Sequence, residues 1–214
     1  MQSMSTVIGT LRLAGVIRRP RFAGPVLSGL MFATFCVAWL TAAPPQAAAA
    51  DPAVKFMAQV GRELMAAART RSPGVMANVI NRYGDVRYIG LYSLGSYRGQ
   101  LPAAERTVYY SGMVRFIGRY AASQAPNFPV ARVEWSDQSF RGASGLMVDS
   151  KVILEDGSVY EVRWLLSKHG TTYKVRDAMV AGWWMTPFLK NLFEDYIARN
   201  GGNPRALVAA LGHQ

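Results

Sequence analysis

Between residues 130 and 180, apolar side chains recur at every second position, which is the period of a β-strand. The runs are separated by only a few residues, including Asp156-Gly157, a strong signal for a tight hairpin turn. Strands joined by such short turns are antiparallel, because a parallel pair needs a long crossover. The predicted strands run from Val130 to Trp135, Leu146 to Leu154, Tyr160 to Leu166 and Tyr173 to Val180. The resulting sheet has one apolar face, which other elements must cover.

Helix-start signals lie on both sides of this region. Each combines a side chain that can cap a helix, a proline that fits the first turn, or both, with apolar residues at helical spacing behind it. The predicted starts are Asp51-Pro52, Ser72-Pro73, Asp85, Pro102, Thr186-Pro187 and Asn203-Pro204. Helices, four antiparallel strands and helices again are the order of an α+β fold. We therefore predict a twisted antiparallel four-stranded meander packed against N-terminal and C-terminal helices.

The N-terminal segment predicts export. Four arginines precede the apolar run PVLSGLMFATFCVAWLTAA, and an alanine-rich stretch follows it. A basic region, an apolar region and a small-residue cleavage site are typical of a secretory signal peptide. We predict that residues 1–50 are the signal peptide, cleaved after Ala50, and that residues 51–214 form a single domain. The alternative is an uncleaved membrane anchor, because the apolar run is long for a signal peptide.

Net charge and cysteine content limit the kinds of function that the chain can have. The full chain carries a net charge of +11, and loss of four arginines would leave 20 basic and 13 acidic residues, a net charge of +7. Such a charge suits an anionic membrane surface or an acidic partner, whereas the scattered basic residues argue against nucleic acid. Cys36, the single cysteine, lies in the signal segment. Thiol catalysis and cysteine-bound metal are therefore excluded for the mature chain.

No catalytic set emerges from the sequence. His169 lies in a predicted turn and His213 next to the C-terminus, and neither has a plausible partner. Asp149 and Asp177 lie on predicted strands, where a general base of an enzyme is sometimes placed. More often such residues face solvent or pair with an arginine. We expect no catalytic residue, no metal ion and no cofactor.

Large aromatic side chains are a second distinctive feature. Trp183 and Trp184 stand together where the last predicted strand gives way to a helix, and Trp135 and Trp164 lie on the strands. Such residues usually form an ordinary core. When they occur on both sheet and helices, they also hold the layers apart and line an apolar pocket. The sequence alone leaves both readings open.

Two segments, GDVRYIGLYSLGSYRGQLPAAERTVYY and the later GTTYKVRDAMVAGWWMTPFLKNLFEDY, contain short motifs in a distinctive order. With them, the chain from Asp51 to the end resembles the MlaC family, periplasmic phospholipid-binding proteins linked to toluene tolerance, which include the hopanoid-associated HpnM. The matching positions are Asp85, Leu94-Gly95, Tyr97-Arg98, Pro102, Arg106, Tyr120, Gly170, Tyr173-Lys174-Val175, Asp177, Gly182 and Phe193. The residue type differs from the family pattern at three places: Leu101 replaces a capping Thr, Tyr173 replaces the Trp of its strand motif, and Leu189-Lys190 stands where the family often has Tyr-Arg.

The resemblance implies a soluble periplasmic carrier whose apolar lipid pocket lies between sheet and helices. It would shuttle phospholipid, or a hopanoid-type lipid, between an outer-membrane lipoprotein complex and an inner-membrane ABC lipid transporter with its membrane-anchored substrate-binding component. Trp183 and Trp184 would cap the pocket edge. The side chains expected to line the pocket are Tyr109, Met113, Phe116, Ile117, Tyr120, Trp135, Val148, Val152, Trp164, Leu166, Val175, Met179, Trp183, Trp184, Phe188 and Leu192.

Two other readings remain at this point. One is an enzyme with a cone-shaped α+β fold that acts on an apolar substrate through Asp149 or Asp177. The other is an interaction domain with a filled core.

Overall fold

The computed structural model describes residues 51–212. The predicted signal peptide and His213 lie outside the described residues. Helices and strands follow one another in the predicted α+β order. The helices are α1 (Pro52–Thr70), α2 (Pro73–Tyr83), α3 (Val86–Ser93), α4 (Arg106–Gln124), α5 (Met185–Arg199) and α6 (Pro204–Gly212). None of the helices within this part of the chain combines the length and apolar character that crossing a bilayer requires.

Side-chain caps fix the first three helix starts where the sequence predicts them. Asp51 Oδ1 accepts a hydrogen bond from the Ala53 N–H at 2.7 Å at the start of α1. Ser72 caps α2, and Asp85 Oδ1 accepts from the Tyr88 N–H at 3.2 Å at the start of α3. Each cap satisfies a backbone donor that the helix itself leaves without a partner.

Two helix starts differ from the prediction. Pro102 lies in extended backbone, and Ala103–Glu105 form a 3₁₀ turn before α4 begins at Arg106. No side chain caps this start, in keeping with the apolar Leu101, which is fully buried. The α5 helix begins at Met185, one residue ahead of Thr186.

The sheet contains the four predicted strands and two short additional ones. The strands are β1 (Val130–Trp135), β2 (Phe140–Gly142), β3 (Gly145–Leu154), β4 (Val159–His169), β5 (Thr172–Val180) and β6 (Trp183–Trp184). The order across the sheet is β1-β3-β4-β5-β6, and all pairs are antiparallel. β2 also pairs with β3, so β1 and β2 share one edge of that strand.

Helix α1 covers one face of the sheet. Its buried side chains, with Val148 and Leu166 of the sheet, form what we call the sheet–α1 cluster, and half-buried aromatic and aliphatic residues surround it. The cluster consists of Ala53, Met57, Val60, Val148 and Leu166, bordered by Phe56, Leu64, Tyr83, Trp135, Leu146, Trp164, Tyr173 and Val175. The Trp135 ring lies directly on α1 at Gly61, where an added Cβ would stand 2.6 Å from Trp135 Cζ2. The missing side chain therefore makes room for the indole.

The remaining helices form a separate apolar core, the helical cluster. Tyr109 and Met113 of α4 are fully buried there, and they pack with Phe193 and Ile197 of α5 and with α6. The buried Tyr109 hydroxyl donates a hydrogen bond to the Gly90 carbonyl oxygen at 3.0 Å. A third, smaller cluster joins α1, α2 and α4 through Ala67, Met76, Val79 and Ala122.

Candidate functional site

The register of β4, β5 and β6 places the two adjacent tryptophans on opposite faces of the sheet. Residues that pair directly across antiparallel strands share a face. Trp183 pairs with Val180, which pairs with Val162, whereas Trp184 pairs with Met179. Val162 and Trp164 are two residues apart on β4, so their side chains lie on the same face of the sheet. Trp183 therefore also lies on this face, which α1 covers at the other end of the sheet. Trp183 is 76% exposed, and Trp184 is half-buried.

A tight turn sets this geometry. Ala181 and Gly182 link β5 to β6 with φ angles of 51° and 84°. A two-residue hairpin loop with positive φ at both positions is the type I′ turn, whose twist matches that of the strands. Glycine adopts this conformation freely, whereas alanine does so at a cost. The turn directs the chain from the sheet straight into α5.

Asp177 on β5 fixes the start of α5. Its Oδ1 accepts hydrogen bonds at 2.8 Å from the N–H groups of Thr186 and Ala178. The residue at the N-cap position of α5, Trp184, offers no side-chain acceptor. Burial raises the pKa of the Asp177 carboxyl above its ordinary value, although the backbone N–H groups of Thr186 and Ala178 oppose this shift. Asp177 therefore serves as a cap supplied from the neighbouring strand.

Helix α5 carries two apolar stripes. One, formed by Leu189, Phe193 and Ile197, is buried in the helical cluster. The other follows the same helical spacing on an adjacent face and is exposed to solvent, with Phe188 61% exposed. Together with Trp183 it forms what we call the α5 stripe: Trp183, Met185, Phe188, Leu192 and Tyr196. A set of large apolar side chains exposed on one helix is characteristic of a binding site.

The structure places most of the predicted site residues in three groups. Tyr109, Met113, Phe116 and Ile117 belong to the helical cluster. Val148, Leu166, Trp135, Trp164 and Val175 belong to the sheet–α1 cluster. Tyr120, Trp183, Phe188 and Leu192 are exposed. The first two groups lie in separate cores, so the structure does not bring the α4 side chains against the sheet residues.

Val152, Met179 and Trp184 are half-buried on the strands. Met179 pairs with Arg163 and Trp184 with Met179, so both lie on the face opposite Trp164. Whether any of the predicted side chains touches lipid stays a prediction. The four exposed side chains, Tyr120, Trp183, Phe188 and Leu192, are the predicted residues whose apolar surface is not already used in packing.

Charged side chains pair with one another on the face of the sheet opposite α1. Glu134 pairs with Lys151 and Lys151 with Glu161, and Asp149 pairs with Arg163. The Arg163 guanidinium also donates hydrogen bonds to both Asp149 carboxylate oxygens at 2.8 and 2.9 Å. A groove of about 770 Å³ crosses this region and contains all five of these residues. Apolar side chains, among them Trp135, Val162 and Met179, line the groove beside the charged ones.

The carboxylates considered for catalysis have structural partners. Asp149 pairs with Arg163, and Asp177 caps α5. Ser167, His169 and Asp85 also meet, but the Ser167 hydroxyl donates to the Asp85 carboxylate at 2.7 Å, so the histidine does not activate it as a nucleophile. Within residues 51–212, no group of three or more His, Cys, Asp or Glu side chains is placed to hold a metal ion.

The sequence interpretation missed the contribution of α1. Phe56, Met57, Val60 and Leu64 cover the apolar face of the sheet, although none was expected at the site. Their helical spacing was visible in the sequence. What the sequence did not reveal is that α1, rather than α4, packs on the strands.

An antiparallel sheet with α1 on one face, together with a second apolar stripe exposed on α5, defines the class as an α+β protein with large apolar side chains left exposed. Comparison with known families matches residues 56–213 to the family described as MlaC protein. The chain belongs to the MlaC family, as its motifs predicted.

A solved structure with a similar fold is that of the phospholipid-binding protein from Ralstonia solanacearum, in complex with a phospholipid. The TM-score is 0.61 at 20% sequence identity, and the match covers 77% of this chain and 96% of that chain. The likeness confirms the predicted fold class. No protein of curated function matches the chain significantly.

Proposed function

We propose that the protein is a periplasmic lipid carrier that binds a phospholipid, or a hopanoid-type lipid, on the apolar surface around the α5 stripe. The observation that carries the proposal is the exposure of Trp183, Phe188 and Leu192 in a member of the MlaC family. The similar fold of a phospholipid-binding protein, solved with a phospholipid bound, supports the same assignment.

The energetics explain why a carrier needs such a surface. Two acyl chains contain roughly thirty methylenes, and exposing them to water costs roughly 20 kcal/mol at ~0.8 kcal/mol for each methylene. Transfer from a bilayer to an apolar protein surface is nearly neutral by comparison. No cofactor or covalent step is required, so partner complexes must set the direction. In this proposal the protein shuttles lipid between an outer-membrane lipoprotein complex and an inner-membrane ABC transporter with its membrane-anchored binding component.

Native mass spectrometry of protein purified from the periplasm tests the carrier function. We expect a stoichiometric lipid adduct, whose fragmentation distinguishes a phospholipid from a polycyclic hopanoid. Protein that is purified without any lipid, and that acquires none from vesicles, would contradict the proposal.

N-terminal sequencing of the same preparation tests export. The signal-like segment that ends at Ala50 leads us to expect a mature chain that begins at or near Asp51. Full-length protein found only in membranes would contradict cleavage and favour the membrane anchor.

A further inference from the structure

Helix α1 carries a line of basic side chains on the surface that faces away from the sheet. Lys55, Arg62 and Arg69 are all exposed, and they follow one another at intervals of seven residues, which is nearly two helical turns. They therefore lie along one face of the helix, ~10 Å apart and over a total length of ~21 Å. We call this line of three residues the α1 ridge.

The basic groups of the α1 ridge are available to an external anion. Within residues 51–212, no side-chain hydrogen bond or ion pair joins any of the three to another residue. The single acidic residue of α1 is Glu63, and its carboxylate accepts hydrogen bonds from the Tyr83 hydroxyl and, at 3.2 Å, from the Arg82 guanidinium. The negative charge of Glu63 is thus balanced mainly by Arg82 of α2, with a smaller contribution from Arg62.

The opposite side of α1 holds the ridge in a fixed position. Met57 and Val60 are buried against the sheet, and Gly61, which directly precedes Arg62, lies under the Trp135 ring. A buried helix face of this kind cannot roll or fray without exposing apolar surface. The ridge is therefore a rigid, straight array of charges rather than a flexible basic tail.

The ridge also lies on the side of the sheet that bears the exposed tryptophan of the α5 stripe. Trp135 pairs with Ser150, Ser150 with Val162, Val162 with Val180 and Val180 with Trp183. Directly paired residues share a face, so one row across five strands leads from the contact with α1 to Trp183.

Spacing and composition indicate what this surface fits. Basic groups ~10 Å apart are too distant for one phosphate to bridge, so the ligand must present several anions in a row. Every large apolar side chain of α1 is buried or half-buried, whereas specific protein–protein interfaces are built around an apolar and aromatic centre. A bilayer that contains anionic lipids offers spread negative charge and needs no such centre.

We propose that the α1 ridge docks the protein on an anionic bilayer surface, with the side of the sheet that bears Trp183 turned toward the lipid. The inference rests on the proposed carrier function and adds a membrane-docking surface to it. Because the attraction is electrostatic and no ridge side chain inserts into the hydrocarbon, docking is reversible. A carrier that must leave the membrane with its lipid requires this.

Vesicle co-sedimentation at about 0.1 M salt tests the ridge, with vesicles of equal parts phosphatidylglycerol and phosphatidylcholine. We expect Arg62→Gln to weaken binding about fivefold, and the triple variant Lys55→Gln, Arg62→Gln and Arg69→Gln about a hundredfold. Glutamine is a good helix former, so α1 should persist, which circular dichroism checks.

A second triple variant is the matched control. Arg115→Gln, Arg141→Gln and Lys151→Gln together remove the same charge from exposed positions on α4, on β2 and on the sheet face opposite α1. Screening confines the attraction to groups near the bilayer, so this variant should bind within about threefold of the parent.

The outcomes separate the ridge from its competitors. Equal weakening in both triple variants would indicate general electrostatic attraction and overturn the proposal, as would unchanged binding of the folded ridge variant. A ridge variant that loses affinity for soluble polyglutamate but not for vesicles would assign the ridge to an acidic protein and also overturn it. If native mass spectrometry shows bound lipid in the parent while the ridge test fails, docking alone is rejected. Absence of any bound lipid would instead reject the carrier function.

Discussion

The carboxylate of Asp177 accepts a hydrogen bond at 2.8 Å from the backbone N–H of Thr186, nine residues further along the chain. The bond crosses the Ala181-Gly182 turn and ties the end of the sheet to the first turn of α5. Because α5 has no cap of its own, this contact fixes the helix that carries the exposed apolar stripe. Trp183 lies between the two ends of the tie.

Removing this cap should destabilise the fold. We expect Asp177→Ala to lower the free energy of unfolding by about 0.5–2 kcal/mol, the usual cost of losing a helix cap. Urea unfolding monitored by circular dichroism measures the change. Asp177→Asn is the control, because its side-chain oxygen can still accept both backbone hydrogen bonds. Equal stability of the alanine variant and the parent would contradict a capping role.

The same residue predicts a pH dependence. Burial raises the pKa of Asp177 above the ordinary 3.8, so the folded state binds this proton more tightly than the unfolded state does. The stabilisation that comes from the protonated form is complete below the ordinary pKa and is lost as pH rises through the raised value. The stability of Asp177→Asn relative to the parent should therefore increase with pH across that window. Unfolding curves at a series of pH values test this, and a difference that does not vary with pH would contradict it.

Gly61 should not tolerate a side chain. An added Cβ would stand 2.6 Å from Trp135 Cζ2, so the indole would have to move out of its place on α1. We expect Gly61→Ala to lower the free energy of unfolding by about 1–3 kcal/mol, although alanine is the better helix former. Gly74→Ala is the control: it lies in the first turn of α2, and its nearest neighbouring atom is 3.9 Å from the added Cβ. A Gly61→Ala variant as stable as its parent would show that the indole has space to shift.

Substitutions at the two adjacent tryptophans can distinguish an effect on lipid binding from an effect on folding. Trp183 is 76% exposed, so we expect Trp183→Glu to change stability by no more than about 0.5 kcal/mol. The new carboxylate should nevertheless abolish lipid binding, because it would have to share the apolar surface with acyl chains. Trp184→Glu, on the opposite face, should keep its lipid. Thermal melting and lipid extraction on both variants provide the test, and a folded Trp183→Glu protein that retains lipid would exclude Trp183 from the site.

The positive charge of the mature chain predicts a salt effect on transfer. With the net charge of +7 that the proposed removal of residues 1–50 would leave, the protein should approach anionic vesicles faster than neutral ones. Lipid exchange with anionic vesicles should slow as salt rises toward ~0.5 M, because ions screen the attraction. Exchange with zwitterionic vesicles serves as the control. If the two vesicle types respond alike to salt, the charge does not guide docking.

Local chemistry made much of the fold predictable. Asp51, Ser72 and Asp85 cap helices through residues two or three positions away, and such signals are complete within a short stretch of sequence. The long strands are visible in the same way, from their alternating pattern. The two-residue β6 strand has no such pattern in the sequence. It is a strand only because its residues pair with Met179 and Val180 of β5.

The site was less predictable, because it depends on which faces meet. Both α1 and α4 carry apolar faces. The residues within each helix do not indicate which of the two packs on the sheet. The fit of Trp135 against Gly61 joins positions more than seventy residues apart in the sequence. Asp177 likewise caps a helix from the preceding strand, outside the spacing that local capping motifs use.

The edge of β5 that does not face β4 pairs with other backbone only over two short segments. Trp183 and Trp184 pair with its end, and near its start the Asp85 N–H donates to the Val175 carbonyl oxygen at 2.8 Å. A long free strand edge would act as a template for adding strands from other chains, which is the route to amyloid-like aggregates. Because that edge is interrupted, the molecule can expose an apolar helix without also offering a continuous row of free backbone hydrogen-bonding groups to which strands of other chains could add.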